Sequence, residues 1–423
     1  MYLLDTTFAL NQIQDENTRR NDARKRLDLY QGLQLPYVQD RLELHFSDVT
    51  KFSPTSLNIV KKVIDAKSQI YQRDAERIVS TKRDQELYDK AQEQCALGLR
   101  MRQANRLSKL CGVVLLKVVY GRTFDQIDID LITPDICTVE TGKSPKDVRS
   151  VTISYYPADG KVSELKHVRW TPGSIQTLDY NFNVTSTESN PYGFLPFVPV
   201  WSELPVNDFW IYPGDSLIST QEAINEKLTD LIYILRLQGF SIPVLKGTTS
   251  EIGTFDPGQA VALPDSQHAD FKFEAPNSPI KEVIESIDYL IRQIAVTEGL
   301  PASYLADKPS TRKSAAALVE QSKELQEIRA NDIDLYKIYE RQVFEVIKQV
   351  WNYHNSNKFG DSTLKVNFYD PSQVSSEDKA EFWSKMVELG IYSPVDVIQK
   401  LDPDLSKDDA EQIYKNNKSL NPA

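Results

Sequence analysis

The stretch "EGLPASYLADKPSTRKSAAALVEQ", from Glu298 to Gln321, decides how the chain is to be read. A helical pattern runs into it: from Ile280, the apolar residues Val283, Ile284, Ile287, Leu290, Ile291 and Ile294 share one side, with charges opposite. Gly299 and Pro301 then supply stop signals. After it, "STRKSAAALVEQSKELQEIRANDIDLYKIYERQVFEVIKQVWNYHN" has no internal Gly or Pro, which predicts one helix. At ~1.5 Å per residue it would span about 65 Å, so it should bend or act as a strut. Between the helices sit Pro301, Pro309 and a basic cluster, Lys308, Arg312 and Lys313, in a chain of net charge −11. The stretch is either a helix start carrying a nucleophile, since Ser310 to Lys313 reads Ser-x-x-Lys, or a loop held out between two helices.

The bulk numbers narrow the choice. A chain of 423 residues with 40% hydrophobic and 26% charged residues is of ordinary globular composition, long enough for several domains. No apolar run approaches the ~20 residues that cross a bilayer. The N-terminus lacks a basic region followed by an apolar core, so the expectation is a soluble, cytosol-made chain with no membrane partner. Cys95, Cys111 and Cys137 form no CxxC, and His45, His167, His268 and His354 are scattered, so neither a disulfide framework nor a metal site is indicated. The acidic balance disfavours tight nucleic-acid binding, which needs a basic face. It suits a protein that lets DNA pass without holding it.

Two motifs tempt and fail. "CTVETGKS" (Cys137 to Ser144) resembles a phosphate-binding loop, but Cys137 stands where the first glycine belongs. Pro145 and a strand pattern follow in place of a helix, so this reads as a hairpin tip. The Ser-x-x-Lys hydrolases also need a Lys-Thr-Gly strand, which is absent, so Ser310 reads as a helix cap. A nucleotide-dependent packaging motor and a Ser-x-x-Lys hydrolase are therefore the weaker alternatives. The expectation is no enzyme and no cofactor.

Elsewhere the first third reads as helical. "TRRNDARKRLDLYQGL" ends at Gly32; a second helix starts at Ser53-Pro54 and runs through "RDAERI", with Leu57, Val60, Ile64, Ala66 and Ile70 inward; and "RDQELYDKAQEQCALGLRMRQANRLSKLCG" reads as one long helix. From Gly112 the period changes to 2, predicting an antiparallel sheet through "IQTLDYNFNV", followed by the proline-punctuated "NPYGFLPFVPVW". "YPGDSLISTQEAINEKLTDLIYILRLQG" is a helix with Asp215-Ser216 as caps and Leu217, Ile224, Leu228, Leu231 and Leu235 at helical spacing. "FSIPVLKG", "GQAVALP" and "ADFKFEAP" read as short strands. The tail reads as the strand "LKVNFYDP", a helix capped near Ser375, a restart at Ser393-Pro394, and a final helix at "SKDDAEQIYKNN".

This order of elements resembles that of the tailed-bacteriophage portal proteins. "NPYGFLPFVPVW" followed by "GDSLISTQEAINEKLTDLIYIL", the strand, Pro-Asp, strand pattern of "IDIDLITPDICTVE", and the helix restart in "MVELGIYSPVDVIQKL" carry the resemblance, which covers about residues 50–415. It implies an α+β portal-type fold: a helical and β wing (1–212), stem helix 1 (213–238), a small α/β clip (239–278), stem helix 2 (279–298), a tunnel loop (299–313), a long wing helix (314–358) and a short helical crown (359–423). It further implies a 12-subunit ring at one capsid vertex for DNA packaging and ejection. The implied partners are double-stranded DNA in the channel, the terminase large subunit, the major capsid and scaffold proteins, and head-tail adaptor proteins. The implied location is the virion, with the host cytoplasm during assembly. Under it Lys308, Arg312 and Lys313 would make transient contacts with passing phosphates; the plainer reading of each is an ordinary basic residue in a solvated loop.

Overall fold

A computed structural model describes residues 2–46, 49, 53–121, 125–156, 161, 164–238, 242–246, 270–274, 280–301, 305, 315–368, 383–385, 387–388, 392–401 and 405–420. The chain divides into two compact units, Met1–Phe368 and Tyr369–Ala423. Helix and sheet mix in the first, and the second is helical in its described residues.

The first unit begins with α1 (Tyr2–Gln31), which stops at Gly32 with φ +91°, and α2 (Leu35–His45). The helix expected from Ser53 is much shorter: α3 spans Ile59–Lys67, and Asn58 is its cap, accepting from the Lys61 N–H at 3.0 Å. Val60, Ile64, Ala66 and Ile70 are buried as expected, but Leu57, outside the helix, is 48% exposed. Residues 76–79, expected in the same helix, form β1 (Glu76–Val79), which pairs antiparallel with β12 (Leu364–Asn367). A strand partner nearly three hundred residues away outweighs the local pattern.

The single helix expected over 83–112 is two, α4 (Lys82–Cys95) and α5 (Leu97–Cys111), broken at Ala96 in the left-handed region (φ 48°, ψ 48°). Gly98 sits so close to Asp74 that a Cβ there would lie 2.1 Å from its Oδ1. Thr81 caps α4 by accepting from the Asp84 N–H at 3.4 Å.

The β-rich region forms two antiparallel sheets. One has the order β3-β2-β9, from β2 (Val113–Gly121), β3 (Gln126–Ile132) and β9 (Phe197–Trp201), with Leu116 opposite both Leu131 and Val198. Central β2 is buried from Val113 to Val118, covered by α5 and the long helix α8 (Ala315–His354). The other sheet is a meander of β4 (Cys137–Thr141), β5 (Val148–Tyr155), β6 (Lys166–Trp170), β7 (Ser174–Leu178) and β8 (Val184–Ser189). "CTVETGKS" is the β4–β5 hairpin, closed by the Gly142 N–H donating to the Asp147 carbonyl at 2.7 Å.

Helices α6 (Ser216–Gln238) and α7 (Ile280–Thr297) pack along each other. Between them, β10 (Ile242–Lys246) and β11 (Asp270–Glu274) pair antiparallel; the strand expected at "GQAVALP" lies outside the described residues. Asp215 does not cap α6 with its side chain, which instead accepts from the Tyr212 hydroxyl. In the second unit, α9 (Pro394–Leu401) opens on a Ser393/Asp396 capping box, and α10 (Lys407–Leu420) opens on Ser406, whose hydroxyl accepts from the Asp409 N–H at 3.2 Å. The cap expected near Ser375 lies outside the described residues.

Candidate functional site

Ser310 and the basic cluster Lys308, Arg312 and Lys313 lie outside the described residues. The structure does place the anchors on either side of them. On the α7 side the helix closes in a Schellman motif: Gly299, at φ +69°, donates to the Val296 carbonyl at 3.2 Å, and Leu300 donates to the Ala295 carbonyl at 2.8 Å. Lys67 of α3 binds Glu298 at 2.6 Å, and Leu300 is 4% exposed. Leu305 packs back on the core. The chain therefore leaves α7 from a fixed point.

On the other side, the described side chains of α8 up to Asn331 are half-buried or exposed, and burial begins at Asp332. Lys109 donates to the Asp332 carboxylate at 2.6 Å; burial raises the acid's pKa, and the Lys109 charge opposes the rise. One turn on, the Tyr336 hydroxyl meets Ser108 at 3.0 Å. A further turn on, fully buried Glu340 accepts from Arg77 at 2.7 and 2.8 Å and from Tyr71 at 2.7 Å. Burial works against the Arg77 charge, but its bonds to Glu340 outweigh it and raise the pKa, while burial drives the Tyr71 phenol well above its ordinary value. Three polar links at helical spacing thus grip α8 along one side.

The α6 root is built differently. Gln221, Asn225 and Thr229, each within 1% of full burial, line one side of the helix at i, i+4 and i+8. They receive the extended segment that precedes α3. Thr55 N–H donates to Thr229 Oγ1 at 3.1 Å and Leu57 N–H to Asn225 Oδ1 at 3.0 Å; Ile59 and Val60 N–H donate to Gln221 Oε1 at 2.8 and 3.1 Å. Gln221 Nε2 returns a bond to the Leu57 carbonyl at 2.6 Å, and Asn225 donates to buried Gln34 at 2.6 Å. Two residues of extended chain advance ~6.6 Å and four of helix ~6 Å, so the two rows stay in step. Around this ladder Lys25 pairs with Glu222 at 2.6 Å and Arg41 with Glu226 at 2.8 Å.

Away from these roots the two helices lose their cover. Leu217, Ile224 and Leu231 of α6 are buried, whereas Leu235 is 48% exposed. Of the apolar face of α7 only Ile294 is buried, and Ile284 is 50% exposed.

The polar ladder and the Lys67–Glu298 tie were missed in the sequence. A signal for the ladder was present: three uncharged polar residues at spacing 4 beside an apolar stripe. Nothing local marks Lys67 or Glu298. Among the described residues no cluster of His, Cys, Asp and Glu could hold a metal, and no helix is long and apolar enough to cross a membrane. Ser154 Oγ lies 2.9 Å from His167 Nδ1, but both residues are 2% exposed, so the hydroxyl is presented to no substrate.

Residues 15–422 match the family described as "Phage portal protein, SPP1 Gp6-like". No curated protein matches the chain. Among solved structures the chain is similar to one in "Virion of native gene transfer agent (GTA) particle", at 13% identity and TM-score 0.43, over 84% of this chain and 91% of that one. It is similar to another in "Neck of empty GTA particle computed with C6 symmetry", at 12% identity and TM-score 0.43, over 84% and 92%. A third, in "Neck of native GTA particle computed with C12 symmetry", matches at 13% identity and TM-score 0.43, over 80% and 87%.

Proposed function

The chain belongs to the SPP1 Gp6-like phage portal proteins, and from that premise we propose how its parts serve a portal. The family is structural, and this chain is a portal subunit. The observation that carries the reading is a family match running through almost every element described above. In our assignment residues 1–212 and the long helix at 314–358 make the wing, 213–238 and 279–298 the paired stem helices, 239–278 the clip and 299–313 the tunnel loop. Residues 359–423 supply the crown in this assignment, although 359–368 fold with the first compact unit, where β12 pairs with β1, and only Tyr369–Ala423 form the second.

Twelve copies close into a ring in a virion. The sparsely covered outer turns of α6 and α7 support this, because apolar residues such as Ile284 and Leu235 find cover against neighbouring copies. Lys308, Arg312 and Lys313 would ring the channel, and in an acidic chain such contacts are weak and salt-screened, which suits sliding better than capture. The clip would receive the terminase during packaging and head-tail adaptors afterwards, with no catalysis by the portal itself.

The test is negative-stain microscopy with light scattering on the purified chain. Twelve copies of a 48.2 kDa chain come to about 578 kDa, and end views should show a ring with a central hole. A compact dimer would overturn the ring. Glutamine at all three basic positions should leave the ring intact and slow DNA packaging; unchanged packaging would remove the loop from contact with DNA.

A further inference from the structure

We propose that the outer edge of β8 is a docking site for an extended, basic segment of a partner protein, which joins the five-stranded sheet as a sixth strand. The sheet ends at β4 on one side and β8 on the other, and the two edges are treated differently. At β4 the free edge is closed by α1: Arg19 donates to the carbonyls of Pro134 at 2.6 Å and Cys137 at 2.9 Å, and Arg20 donates to Thr138 Oγ1 at 2.6 Å. At β8, by contrast, every residue from Asn181 to Ser189 is exposed, and no described element covers them.

The free hydrogen-bonding groups follow from the ladder. Asn190 N–H donates to the Gly173 carbonyl at 3.1 Å, and Ser189 stands opposite Ser174. Antiparallel pairs alternate, so Glu188 and Ser186 face β7, while Ser189 and Thr187 turn N–H and C=O outward. An open edge of this kind is ordinarily blunted by Lys, Pro or an inward charge. Residues 174–190 contain no Lys, Arg or Pro, and the only side chains among them charged at neutral pH are the carboxylates of Asp179 and Glu188. That charge selects a basic partner over an acidic one. Beside the edge, Tyr180, Phe182 and Val184 are 48%, 56% and 53% exposed, offering apolar anchors for alternate side chains. Phe182 is held in place by stacking on the His167 ring, with centroids 3.9 Å apart.

The experiment measures binding of a dye-labelled peptide alternating lysine with valine to the full chain. Binding should weaken as salt rises, and a glutamate–valine peptide should bind at least about tenfold more weakly. Thr187→Pro removes an outward N–H that proline can spare on an edge strand, and should weaken binding about tenfold with the circular dichroism unchanged. Should that variant fold poorly, N-methylation of alternate peptide residues should abolish binding to the unaltered chain in one phase and spare it in the other. No binding of the lysine peptide, equal binding by Thr187→Pro in a folded chain, or indifference to N-methylation overturns the proposal. Self-association that Thr187→Pro abolishes in the absence of peptide also overturns it, by making a second copy the occupant.

Discussion

Lys67 and Glu298, 231 residues apart in sequence, meet at 2.6 Å, and that contact fixes where the chain leaves α7 for the segment that carries the basic cluster. Lys67 stands at the end of α3, whose start is capped by Asn58 and preceded by the extended segment bound to α6. One short helix therefore ties the roots of both paired helices.

Lys67→Ala should destabilise the first unit by about 1–2 kcal/mol, since the pair is largely but not fully buried. Urea unfolding of the variant measures it. An unchanged midpoint would mean that the Schellman closure alone holds the end of α7.

Gly299→Ala places a Cβ at φ +69° and should cost about 1–2 kcal/mol. The check is the shift in thermal midpoint, compared with alanine at exposed Gln293 of the same helix, which should be nearly neutral.

Gln221→Leu leaves the N–H groups of Ile59 and Val60 and the Leu57 carbonyl without their partner, and should cost roughly 2–4 kcal/mol. Hydrogen exchange should show the loss first at the amides of residues 59 and 60. Protection unchanged at those amides would mean that the ladder does not hold the segment.

Glu340→Ala strands the Arg77 charge in the core and should cost about 3–5 kcal/mol, while Glu340→Gln should cost less because it keeps hydrogen-bonding atoms in place. Denaturant titration separates the two. Equal losses would indicate that shape and not charge pairing is what matters at this site.

In the second unit, hydrogen bonds from the Ser393 hydroxyl and N–H hold the Asp396 carboxyl below its usual pKa. A depressed folded-state value means that this stabilisation of α9 is present above the ordinary aspartate range and is lost as pH falls through the folded value. Carboxyl-carbon NMR titration should show Asp396 titrating below the other exposed aspartates, and Ser393→Ala should return it to the ordinary range.

Much of the fold was legible because local signals carried it. Gly32 ends α1, Gly299 and Pro301 end α7, and the change of period at Gly112 marks the antiparallel strands. The hairpin at "CTVETGKS" was readable because a phosphate loop must feed a helix and this one feeds β5. The misreadings share one cause. Residues 76–79 and the 53–58 segment look helical in isolation, yet their hydrogen-bond partners lie on β12 and α6.

The sequence by itself determined which segments are helix or strand wherever periodicity, caps and breakers agree, because those preferences act within a few residues. It also determined the order of elements that the portal family shares. Only the tertiary structure decided that β1 closes on β12, that α4 and α5 part at Ala96, and that three buried polar side chains of α6 take up the backbone before α3. Buried backbone groups must find partners, and a partner brought by folding from hundreds of residues away outweighs a local preference of a few tenths of a kcal/mol per residue.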